Sequence, residues 1–118
     1  MKKSQKARPS KLKRSRAKVV VYVPRSHADK MREVLNSFSS GKMGNYDYCS
    51  FSISGTGRFR PLKVAKPYIG KMNKIEQVPE ERIETVILKK DINKLLQALK
   101  KVHPYEEPVI DVYPLLYP

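Results

Sequence analysis

His103, Glu106, Glu107 and Cys49 supply imidazole, carboxylate and thiol, the ligand types a divalent metal would take. The first three form the only dense mixture of imidazole and carboxylate in the chain, and Cys49 joins them if its strand runs nearby. A metal site needs three or four convergent groups. The preferred reading is plainer: a helix stops at His103-Pro104, Tyr105 packs, and both glutamates are solvated. A second candidate is Gly55-Thr-Gly-Arg-Phe-Arg60. There Gly55 and Gly57 could let backbone N–H groups converge on an anionic ligand while Arg58 and Arg60 supply charge-assisted forks. It opens no helix and no Lys-Ser/Thr pair follows, so neither a dinucleotide fingerprint nor a P-loop is present. Here too the structural reading is preferred: glycines permitting tight turns, Phe59 in the core, and Arg58 or Arg60 paired with an acid such as Glu84.

No catalytic residue emerges. Cys49 alternates with Phe51 and Ile53, as a small core side chain does, and no Ser-His-Asp or Cys-His pairing can be argued from spacing. Glu80-Glu81 and Glu106-Glu107 are sequence neighbours that point apart in extended chain. His27 receives no role. Tyr46, Tyr48 and Phe51 divide between two strand faces, unlike the stacking platform of an RNA-recognition sheet. The chain is therefore expected to be non-enzymatic.

The third set is electrostatic. Of 118 residues, 25 are basic and 11 acidic, but residues 1–18 alone hold nine Lys or Arg and no acid. Residues 1–17 read as a flexible basic arm, with too few apolar side chains to offset the entropy of ordering them. Lys11, Lys13, Arg14 and Arg16 would attract phosphate polyanions, giving salt-sensitive contact with nucleic acid or anionic lipid through residues 1–18. A solubilising tail is the equal alternative. The arm lacks the apolar core of a secretory signal, and no apolar run approaches the ~20 residues of a membrane span. One cysteine excludes an intrachain disulfide and agrees with a reducing cytoplasm.

From residue 18 the pattern is regular and describes one domain, 18–118. Lys18–Pro24 is a β-branched run, expected as a strand buried on both faces. Ser26 is placed to cap a helix over 26–38 with its stripe at Ala28, Met31, Val34, Leu35 and Phe38. Tyr46–Ser54 alternates as a half-buried strand. Residues 55–70 read as a long ordered loop. The spacing then predicts a hairpin of 75–78 and 82–88 turning at Pro79-Glu80-Glu81, a helix capped by Asp91 with its stripe at Ile92, Leu95, Leu96, Leu99 and Val102, and a strand over 108–113.

That order is an α+β, ferredoxin-like split βαβ sandwich, an antiparallel sheet with two helices on one face. Val20, Tyr22, Val86 and Val112 are assigned to the other face. Water should not cover such a surface at ~25 cal/mol per Å² of apolar area, so a homo-oligomer packed through its sheets is expected unless the long loop covers those side chains.

Five stretches carry a resemblance: Gly44–Phe51, Gly55–Pro61, Pro67–Gly70, Arg82–Thr85 and His103–Leu115. Together they resemble the domain inserted into YqfO-type members of the Nif-three-like family, here as a separate version of that domain. The last stretch is also similar to the CutA divalent-ion tolerance proteins. The resemblance covers residues 18–115 and implies a CutA-like, PII-like fold, commonly trimeric, with clefts between subunits lined by residues 55–60 and 103–107 for a small ligand, metal or partner. The family's two-metal centre lies in flanking halves, so its chemistry does not transfer to these residues. The chain departs from the family pattern at Val64, where glycine is usual, and at Tyr48, where histidine is frequent.

Overall fold

A computed structural model describes residues 15–117. The chain forms β1 (Arg16–Pro24), a 3-10 turn (Arg25–His27), α1 (Ala28–Leu35), β2 (Phe51–Phe59), β3 (Glu76–Leu88), a second 3-10 turn (Lys89–Asp91), α2 (Ile92–Val102) and β4 (Ile110–Pro114). Every strand pairing is antiparallel and the sheet order is β2-β3-β1-β4, the ferredoxin-like arrangement.

The alternation of β1 sets the layering. Ala17, Val19, Val21 and Val23 point to one face. There they pack with Met31 and Leu35 of α1, Leu95 and Leu99 of α2, and Ile83 and Ile87 of β3. Each such leucine contributes about 1.5–3 kcal/mol through burial. Val112 joins this same core with Ile110, so its expected place on the opposite face is corrected.

The opposite face is less apolar than its sequence suggested. Val20 is 0% exposed although no helix covers it. It is ringed by charge: Lys18 and Arg82 both pair with Glu84, at 3.3 and 3.0 Å, and the Arg82 guanidinium lies 5.9 Å from the Tyr22 ring centre. Exposed apolar side chains remain at the edges, Phe51 and Ile53 on β2 and Tyr113 on β4.

Several boundaries move for identifiable reasons. β1 begins at Arg16, so Arg16 and Ala17 are strand residues. Ser26 caps nothing, its hydroxyl bonding His27 Nδ1 at 2.9 Å, and α1 starts after a 3-10 turn. β2 starts only at Phe51, because Gly41, Gly44 and Tyr48 carry the preceding chain through φ values of 81°, 59° and 58° that no strand can include. Cys49 therefore precedes the strand, and Phe51 and Ile53 are exposed where a half-buried face was expected.

The expected hairpin at Pro79-Glu80-Glu81 is one continuous 13-residue strand. β1 ends at Pro24 opposite Glu80, so at Pro79 β3 has a neighbour on one side only, where a strand tolerates proline. Asp91 stands at the start of α2, but its carboxyl is bonded to Ser39 instead of a helix N–H, which holds its pKa below the ordinary carboxylate range.

Candidate functional site

Beyond the end of β1, β3 runs on paired only with β2, and residues 60–75 fold back across this corner. The result is a cleft of about 600 Å³. Tyr22 of β1, Phe59 of β2 and Glu80 of β3 form its floor. Leu62 and Tyr68 of the loop contribute the roof, and Tyr105 the wall beyond α2. The loop is held down by its Lys66 N–H, which donates to Glu106 Oε1 at 2.8 Å. The wall is tied to β1 by Tyr22 N–H donating to the Val109 carbonyl at 3.2 Å.

Tyr105 is the hub. Its ring lies 5.5 Å from Phe59, 5.2 Å from His103 and 6.4 Å from Tyr68, and Tyr68 is itself 5.8 Å from His27. Tilted and edge-on packing of this kind fixes ring orientation as well as burying area. The Tyr105 hydroxyl donates to Glu80 Oε2 at 2.8 Å. Burial first, then that carboxylate, push the phenol's pKa well above its ordinary value. Glu80, only 9% exposed, is the acceptor that this hydroxyl satisfies.

His103 is spent internally. Its Nδ1 accepts from the Tyr105 N–H at 3.1 Å, and a backbone N–H can only donate, so Nδ1 carries the lone pair. Nε2 then holds the proton and donates to the Tyr22 carbonyl at 2.7 Å. Desolvation lowers the imidazole's pKa and favours this neutral form, against the raising effects of the Tyr22 carbonyl and Glu80.

This geometry decides the metal candidates. His103 has no free lone pair, Glu106 accepts the Lys66 N–H, and Glu107 lies at the cleft. Cys49 stands at a different cleft of about 230 Å³ with Gly41 and Glu84, its carbonyl bonded by the Thr85 hydroxyl at 2.6 Å. Among the described residues no three His, Cys, Asp or Glu side chains converge as a metal site. The four candidate ligands are thus not brought to one point.

The glycine-arginine candidates divide. Gly57, Arg58 and Arg60 line the large cleft and Gly55 does not. Both glycines are extended β2 residues, opposite Val78 and Glu80, so neither forms a turn and their N–H groups do not form an anion nest. Arg58 and Arg60 are exposed and form no ion pair with described residues; Glu84 is held by Lys18 and Arg82 instead. Of the polyanion candidates, Lys11, Lys13 and Arg14 lie outside the described residues. Arg16 opens β1, its guanidinium 3.4 Å from Met43 Sδ.

Gly57 has a steric reason. A Cβ there would stand 2.2 Å from the Glu80 carboxyl carbon, whereas one at Gly55 would meet nothing within 4 Å. Gly57→Ala is expected to push the Glu80 carboxylate off the Tyr105 hydroxyl and cost about 1–3 kcal/mol, the penalty of leaving that pair unmade. Gly55→Ala should cost nothing, and paired urea titrations of the two variants check the contrast.

Sequence reasoning passed over Tyr22 and Glu80, the floor of the cleft. The signal was the even-numbered alternation of Val78, Glu80 and Arg82 continuing across Pro79, which a proline read as a turn conceals.

The sheet order, the helices on one face and the corner cleft define a small CutA-like, ferredoxin-type module. Solved CutA1 structures show the same fold: those from Ehrlichia chaffeensis and Thermus thermophilus match with TM-scores of 0.64 and 0.63 at 13% and 17% identity, each covering over four-fifths of both chains. A Bacillus cereus protein related to NIF3 matches at TM-score 0.75 and 41% identity over 87% of this chain and 26% of its own. Proteins named GTP cyclohydrolase 1 type 2 homolog from Halalkalibacterium halodurans and Bacillus subtilis are 47% and 42% identical over 98 residues. Over these residues the chain is the counterpart of one segment of Nif-three-like (NIF3) proteins of the YqfO type, a segment with a CutA-like fold. It spans about a quarter of the length of those relatives. No protein-family model matches it. No helix among the described residues is long and apolar enough to cross a membrane.

Proposed function

We propose that this chain is a non-enzymatic binding module that holds a small, largely apolar or aromatic molecule in the corner cleft and works as a homo-oligomer. The observation that carries this reading is the state of the cleft's titratable groups. Both His103 nitrogens and the Tyr105 hydroxyl are bonded to backbone or to Glu80, which leaves the aromatic surface of the cleft as its main means of contact. Arg58 and Arg60 at the same cleft would orient any acidic group the molecule carries.

Assembly is supported by β2. It is an edge strand with Phe51 and Ile53 exposed on the uncovered face, an arrangement that a second copy can cover. A trimer is what the CutA-like resemblance implies, with the cleft bordered by a neighbouring subunit. The single Cys49, unpaired, agrees with a reducing cytoplasmic setting.

Native mass spectrometry tests both parts at once, because it weighs the assembly and any retained small molecule together. The expected particle is a multiple of 13.6 kDa carrying additional mass that Tyr68→Ala releases without changing the subunit number. A monomer with nothing bound would remove the proposal, and stoichiometric metal in protein purified without chelator would redirect it.

A further inference from the structure

We propose that the loop of residues 60–75 docks on the surface of an anionic phospholipid bilayer. From Arg58 to Ile75 the chain has six basic residues, Arg58, Arg60, Lys63, Lys66, Lys71 and Lys74, and no acid. None of the six is in an ion pair with a described residue. Interleaved with them are Val64, Met72 and Ile75, exposed by 87%, 53% and 70%, and none of the three lines the cleft or reaches the core.

The loop's backbone makes this a built surface. Ala65 N–H donates to the Leu62 carbonyl at 3.0 Å, and Lys74 N–H to the Lys71 carbonyl at 3.1 Å, closing two tight turns. Asn73 N–H donates to the Pro61 carbonyl at 2.7 Å and holds the second turn beside the start of the first. Each turn thus carries an exposed aliphatic side chain next to a lysine, Lys63-Val64 in one and Lys71-Met72 in the other. Aliphatic tips that enter the headgroup boundary, with cations around them to meet lipid phosphates, are the chemistry of a peripheral membrane contact.

Nucleic acid is disfavoured by the same residues. Sequence-tolerant strand binding relies on stacking against aromatic rings. The one aromatic residue within 60–75, Tyr68, lines the cleft, so the two exposed turns that carry Val64 and Met72 have no ring. The basic arm would also attract vesicles through charge alone, so the test must read the aliphatic tips.

The chain contains no tryptophan, so Val64→Trp in the full chain gives a single reporter, with Met72→Trp as its duplicate on the second turn. Phosphatidylcholine vesicles with and without phosphatidylserine are the probe. The expected result is a blue shift of both indoles with phosphatidylserine vesicles only. Loss of one lysine should weaken binding about fivefold, and combined Lys63→Gln, Lys66→Gln, Lys71→Gln and Lys74→Gln should abolish the shift. Co-sedimentation with vesicles without any shift would assign the binding to the arm and overturn the proposal. So would no binding at all, or an indole response to single-stranded RNA in place of vesicles.

Discussion

Replacing Leu95 with alanine is expected to lower the unfolding free energy by about 2–5 kcal/mol, the cost of a truncated core leucine and the cavity left behind. Leu95 is fully buried on the inward face of α2, among the valines of β1 and the apolar side chains of α1. α1 and α2 touch each other as well as the sheet, so neither can move inward to fill the gap without losing contact on its other side. Domains of this size hold only about 5–15 kcal/mol in all. Each kcal/mol lost should lower the Tm by about 4–8 °C. Lys94→Ala, one residue away and exposed, should stay within about 0.5 kcal/mol. Urea titration of both variants separates the inward stripe of α2 from its solvated face. Equal effects would contradict the packing described.

The order of elements was legible because it depends on local periodicity. The three-to-four spacing of Ile92, Leu95, Leu99 and Val102 admits one structure, and so does the β-branched run of β1. Element ends were less legible where long-range context decides them. Pro79 reads as a turn until one knows that β1 stops opposite Glu80, and Tyr46–Ser50 alternates like a strand although Tyr48 sits at positive φ. The faces of the sheet failed in an instructive way. Val20 and Tyr22 looked like surface awaiting a partner, yet Lys18, Glu84 and Arg82 from two strands surround Val20 within one chain. At the site, residue type drew attention to 55–60 and 103–107, and the structure brings Gly57–Arg60 and Tyr105–Glu107 to one cleft. Type alone could not reveal that His103 spends both nitrogens on backbone or that Cys49 belongs to another corner. The bond to Tyr105 is local, but the His103–Tyr22 and Thr85–Cys49 pairings span 81 and 36 residues, beyond any local pattern.

Substituting His103 is expected to have the second large effect and to change how stability responds to pH. The imidazole joins the Tyr22 carbonyl of β1 to the Tyr105 N–H of the cleft wall, so His103→Ala leaves a buried acceptor and a donor unpaired, each costing about 1–3 kcal/mol. His103→Gln can restore both contacts, its amide N–H donating to Tyr22 and its carbonyl oxygen accepting from Tyr105, and should recover most of that loss at neutral pH. The two variants differ from the native chain in the acid range. The native imidazole's pKa lies below its ordinary value because burial outweighs the Tyr22 carbonyl and Glu80, with His27 lowering it further. As pH falls through the ordinary imidazole range near ~6.5, the unfolded chain takes up a proton that the folded chain refuses. The unfolded state then binds more protons, and stability declines until pH reaches the depressed folded value; above the ordinary range His103 adds no slope. Protonation would also force Nδ1, now a donor, against the Tyr105 N–H, so acid should loosen the wall of the cleft before it disturbs the helices. Urea midpoints measured from neutral to mildly acidic pH should fall for the native chain and change less for His103→Gln. An identical slope in both would assign the acid response to other groups and leave His103 a purely structural bridge.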